Sequence, residues 1–90
     1  MRVVYEKQFR IALHKIVNFI AKDKVSASIT FKKELKKKFE TLVDNPKMYR
    51  ASIYYKNAEY RDLVFMGYTA IYKIDGDVSR VLDIFKWMDR

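Results

Sequence analysis

The spacing of apolar residues along the chain changes twice. Met1 to Tyr5 is a short apolar opening that reads as a strand. From Lys7 onward Phe9, Leu13, Ile16 and Ile20 fall at i, i+4, i+7 and i+11, with Ala12 and Val17 widening the stripe. That spacing puts them on one face of an amphipathic helix ending near Lys22. A second periodic stretch begins near Asp23, a residue type suited to capping a helix start, and carries Phe31, Leu35, Phe39 and Leu42. Asn45-Pro46 ends it, because the residue before proline avoids helical geometry and Asn tolerates the left-handed cap. With only a few residues near Asp23 between them, the helices are predicted to form an antiparallel hairpin.

After Met48 the period falls towards 2. Ala51 to Tyr55 makes a candidate strand and Lys56-Asn57-Ala58-Glu59 a turn. Strands follow near Tyr60–Met66, Tyr68–Ile74 and Val78–Phe85, bounded by Gly67 and by Asp75-Gly76-Asp77. Asp-Gly is a strong short-range hairpin signal. The order β-α-α-β-β-β predicts an α+β fold: an N-terminal strand, a two-helix hairpin, then a mostly antiparallel sheet of about four strands. Tyr68, Ala70, Tyr72 and Ile74 share one side of their strand and Ile71 takes the other; in the next strand Leu82 and Ile84 oppose Val81 and Phe85. Helices cover one face only, so some of this set is expected to be exposed unless a partner covers it.

Ninety residues suit a single domain over 1–90 that buries roughly 60–65% of its unfolded surface without staples. The absence of Cys excludes disulfides and thiolate metal sites and fits a reducing cytosol. A lone His14 beside the first apolar stripe cannot build a His-based site and reads as structural, so no metal and no cofactor is expected. No long apolar run precedes a cleavage signal, and no stretch approaches the ~20 apolar residues of a membrane span. A cytoplasmic protein with no membrane partner is the expectation. The net charge is +8, with 11 Lys/Arg against 5 Asp/Glu in residues 1–45 and 8 against 6 in residues 46–90. Such an excess favours an acidic partner, either nucleic acid or an acidic protein segment.

The ordered string Arg61-x-Leu63, Gly67-Tyr68-x-x-x-Tyr72-x-Ile74-Asp75-Gly76-Asp77 and Val81-Leu82-x-Ile84 follows a short strand, a helical hairpin and Asn45-Pro46. In this the chain resembles the RelE/ParE superfamily of toxins from type II toxin–antitoxin systems, and its ParE branch more closely. The resemblance covers nearly the whole chain. It implies a cognate antitoxin laid over the helices and sheet as an extended or helical segment. It also implies one of two activities: ParE-like inhibition of DNA gyrase by binding, or RelE-like cleavage of mRNA on the ribosome without a metal. A third possibility is an inert relative that keeps only antitoxin binding.

RNA cleavage by 2′-OH attack needs a base, a leaving-group acid and cations on the phosphate. Ribonuclease members typically carry basic residues just after Gly-Tyr and His, Tyr or Arg near the C-terminus. Here Thr69 follows Gly67-Tyr68, Asp62 lies on the strand before, and Lys86 stands where many members have His. Arg61, Arg80, Lys86 and Tyr68 remain as catalytic candidates, and the set looks incomplete, which leans the reading away from an enzyme. For target or antitoxin binding the candidates are Arg61, Tyr68, Tyr72, Lys86, Trp87 and Arg90, with Lys33 and Lys37 from the run Lys32, Lys33, Lys36, Lys37, Lys38.

Overall fold

A computed structural model describes residues 2–86. Strand β1 (Arg2–Tyr5) leads into helix α1 (Lys7–Asp23), helix α2 (Val25–Glu40) and a short 3-10 turn at Thr41–Val43. Four strands follow: β2 (Arg50–Ala51), β3 (Tyr60–Phe65), β4 (Tyr68–Asp75) and β5 (Val78–Lys86). They form a five-stranded sheet in the order β1-β5-β4-β3-β2. Strand β1 runs parallel to β5, and the other neighbours are antiparallel. The α+β architecture is therefore as the sequence predicts.

The helices lie side by side on one face of the sheet. Phe9 of α1 and Phe31, Leu35 and Phe39 of α2 are buried against Leu63, Ala70, Tyr72, Val81 and Ile84. Aromatic rings tie the helices to each other and to the sheet: Phe9 meets Phe39 at 5.5 Å, and Phe31 meets Tyr68 at 5.3 Å and Phe65 at 5.5 Å. Such ring pairs are each worth about 0.5–1.5 kcal/mol beyond their burial.

Several local expectations are corrected. Asp23 does not cap α2; it is the last residue of α1, and Lys24 alone joins the helices in an extended conformation with no side-chain cap. Helix α2 stops at Glu40, before Asn45-Pro46, and Asn45 is not left-handed: Met66 is the non-glycine residue with positive φ among those described. The strand predicted over Ala51 to Tyr55 shrinks to Arg50–Ala51. Its continuation is diverted because the Ile53 N–H donates to the Asp62 Oδ2 at 3.0 Å, and the Tyr54 N–H to the Ser52 Oγ at 3.1 Å. The Ser52 N–H still donates to the Tyr60 carbonyl, and the Tyr54 N–H, the next donor a longer strand would give to β3, is taken by a side chain.

The face assignment in β5 is corrected too. Ile71 pairs with Asp83 but Tyr72 pairs with Val81, so Leu82 is the extra residue of a β-bulge. The bulge resets the alternation, and Val81 and Ile84 both face the helices. The second face is largely covered as well. Ile71 and Thr69 are buried, and Tyr54, from the segment after β2, meets Phe85 at 5.2 Å.

Candidate functional site

The four catalytic candidates do not converge. Register places Tyr68 opposite Lys86 at one end of the β4–β5 pair. Arg61 sits opposite Tyr72 on the same face, four residues and about 13 Å along the strand. Arg80 lies opposite Lys73, at an alternate position and so on the face away from the helices.

Local partners explain each position. Arg61 is half-buried and donates through Nε to the Ala58 carbonyl at 3.0 Å and through Nη1 to the Tyr49 carbonyl at 3.2 Å. It staples the loop before β3 rather than pairing with a carboxylate. Arg80 bridges two acids, Asp75 at 3.0 Å and Glu6 at 3.1 Å, and these hydrogen bonds raise its pKa. Tyr72 is wholly buried, and its hydroxyl donates to the Pro46 carbonyl at 2.6 Å. Burial, only partly opposed by the Arg61 charge, pushes its phenol up to about 12. It offers a partner no surface. Tyr68 is half-buried against Phe31, whereas Lys86, Lys33 and Lys37 are exposed. Trp87 and Arg90 lie outside the described residues.

A different feature stands out between the helices. A groove of about 440 Å³ has Tyr5, Phe9, Leu13, Val17, Leu35 and Phe39 as its apolar lining. Arg10, His14, Lys32 and Lys36 complete it, and no carboxylate lines it. The Arg10 Nε donates to the Tyr5 carbonyl at 3.1 Å, which fixes the guanidinium at the groove edge. His14 Nε2 and Asn18 Nδ2 are 3.2 Å apart, one turn along α1. Burial, and after it the Glu40 carboxylate, raise the pKa of the Tyr5 phenol, so it stays a neutral donor at the floor. On α2, Val25, Ile29, Lys32 and Lys36 fall at i, i+4, i+7 and i+11, so one line passes from apolar to basic. Val25 and Ile29 are each 63% exposed. The arrangement suits an amphipathic, acidic chain segment better than a small molecule or a reacting phosphate.

Sequence reasoning missed Arg10, His14, Lys32 and Lys36 as a set. The signal was the second, offset stripe on α2, which the stronger core stripe of Phe31, Leu35 and Phe39 obscured. Among the described residues no group of three His, Asp or Glu side chains is placed to hold a metal ion, and no helix is long and apolar enough to cross a membrane.

Comparison with known proteins places the molecule. A solved structure described as the chromosomal ParDE TA system from P. aeruginosa superposes with a TM-score of 0.76 at 15% identity, covering 96% of this chain and 95% of the other. At that identity the likeness is one of fold. A search of the curated proteins finds no match. The family model described as ParE toxin of type II toxin-antitoxin system, parDE, matches residues 3–87. With its helical hairpin and the antiparallel strands β2 to β5 all inside that match, the chain belongs to the ParE toxin family.

Proposed function

We propose that this toxin arrests growth by binding DNA gyrase, without cutting RNA, and that a cognate antitoxin silences it by laying an acidic, amphipathic segment along the α1–α2 groove. The groove carries the antitoxin half of this reading. Its apolar lining supplies contact area, and its four basic or imidazole side chains match carboxylates on the arriving segment. The toxin–antitoxin pairing named for the P. aeruginosa relative supports such a partner.

The non-catalytic half rests on the dispersion of the candidate residues. General acid–base cleavage requires its groups within hydrogen-bond reach of one phosphate. Here Arg80 is held by two carboxylates on one face, while Arg61 is held by two carbonyls on the other. Inhibition by binding asks for no such convergence. The gyrase target itself follows from the resemblance to ParE-branch toxins.

The test is pulse-labelling of DNA and protein synthesis in the first minutes after induction without antitoxin. DNA synthesis falling first, with intact mRNA, is the expected result. Early loss of protein synthesis with cleaved mRNA would overturn the proposal and make Lys86 and Tyr68 the residues to mutate. Unchanged synthesis of both would reduce the chain to an inert relative.

A further inference from the structure

Nearly all of the net charge belongs to the helical hairpin. Residues 7–40 hold 10 Lys/Arg and 3 Asp/Glu, a balance of +7 within the chain's +8. All ten cations are exposed. Among the described residues the hairpin contains one ion pair, Lys37 with Glu34 at 3.7 Å, and both side chains are solvated. Solvation and salt leave such a pair little strength, so the surface keeps its charge.

Part of this charge rims the groove, but a separate part points away from it. Lys33 lies two positions from both Phe31 and Leu35, and Lys37 two from both Leu35 and Phe39, so both turn outward. Ser26, Thr30, Lys33 and Lys37 form an entirely polar line at i, i+4, i+7 and i+11. On α1, Lys15 and Lys22 are seven residues apart and share a line with Asn18 between them. At about 1.5 Å per residue the α1 row covers about 10 Å and the α2 row about 16 Å, and the two run antiparallel. The longer row matches roughly five base pairs of duplex at about 3.4 Å per step.

We infer that this outward face, centred on Lys15, Lys22, Lys33 and Lys37, is a binding surface for the phosphodiester backbone of a nucleic-acid duplex. Exposed ammonium groups, with the Ser26 and Thr30 hydroxyls beside those of α2, are the donors that phosphate oxygens accept. The α2 row has no apolar anchor, and Lys is depleted from the centres of protein–protein interfaces. It has no aromatic side chain, and beside the α1 row a single exposed ring, Phe19, lies between Lys15 and Lys22, too few for the successive stacking by which single strands bind. The surface reads charge and shape, not sequence. It leaves the groove free, so an antitoxin and a duplex contact different sides of one hairpin. The inference does not depend on gyrase being the target.

The experiment is fluorescence anisotropy of the purified full chain with a labelled 20-base-pair DNA duplex, repeated with the RNA duplex of the same sequence, from 50 to 200 mM salt. Four phosphate contacts give a slope of about −3.6 in log K against log salt, or roughly a 150-fold loss over that range. The variant with Lys15, Lys22, Lys33 and Lys37 all changed to Gln should lose most of that slope. These side chains are exposed, so circular dichroism should confirm an unchanged fold. A control variant removes the same charge from outside the hairpin through Arg2→Gln, Lys47→Gln, Lys56→Gln and Lys73→Gln, and should keep the slope. Binding of either duplex with this pattern supports the inference, and the stronger duplex identifies the source of the phosphates. Equal loss in both variants would overturn it, since only net charge would matter. So would absence of binding at 50 mM salt, or tighter binding of a poly-glutamate peptide than of either duplex.

Discussion

Three side chains show how single residues set stability here. The Tyr72 hydroxyl ends at the Pro46 carbonyl and ties β4 to the loop after α2. Tyr72→Phe should cost about 1–2 kcal/mol at neutral pH, read by urea denaturation. The phenol's pKa is raised from 10.0 to about 12 in the fold, so its contribution is fully present below pH 10 and is lost as pH rises through 12. The wild-type advantage over the Phe variant should therefore fall in that window, by up to about 2–3 kcal/mol, enough to reverse its sign. Asp62 is 1% exposed, accepts the Ile53 N–H and lies 3.5 Å from the Arg50 Nη2. Asp62→Ala should cost about 2–3 kcal/mol and release the segment after β2, seen as lost hydrogen-exchange protection of the Ile53 amide. Met66 holds φ 49 beside Gly67 at φ 84, the pattern of a type I′ turn, yet is 70% exposed. Met66→Asn should stabilise by about 0.5–1 kcal/mol, because Asn occupies left-handed backbone at lower cost. A lower urea midpoint would contradict that.

Among the elements, the bulge in β5 decides whether the core closes. Were Leu82 paired in a regular ladder instead of bulged, Val81 and Ile84, three residues apart, would take opposite faces of the sheet. Deleting Leu82 would leave Val81 and Ile84 two residues apart on the helix face, so the cooperative thermal transition should survive; its loss would show that the bend of the bulge itself is needed. The helices were legible in the sequence because Phe9, Leu13, Ile16 and Ile20, then Phe31, Leu35 and Phe39, repeat at helical spacing. The two hairpins were legible because Gly67 and Gly76 take the positive φ their tight turns demand. Other features had no local signature. The truncation of β2 depends on Asp62, which is nine residues from Ile53, and the bulge on which of Val81 and Leu82 the helices select. The site was less legible than the fold: Arg61 and Arg80 look like catalytic cations in a list, and only their carbonyl and carboxylate partners show them as fasteners. Arg80→Gln should accordingly leave growth arrest intact, measured by colony counts after induction without antitoxin.

The whole molecule divides its labour by layer. The sheet face supplies a core of Leu63, Ala70, Tyr72, Val81 and Ile84, and the helical layer carries the groove and almost all of the charge. A carboxylate planted in the groove should separate the two roles: Val17→Glu is expected to weaken antitoxin binding at least tenfold by calorimetry while duplex binding stays close to wild type. Equal antitoxin affinity would move that partner elsewhere. Lys24, the single residue between α1 and α2, has a consequence for how such systems stay separate. Joined so tightly at one end, and locked at the other by Tyr5, Phe9 and Phe39, the helices cannot spread like a clamp to admit a poorly fitting segment. Recognition then rests on side chains presented at a fixed gauge. Sister toxins with the same scaffold could diverge in partner by exchanging a few groove residues, each pair remaining deaf to the other's antidote.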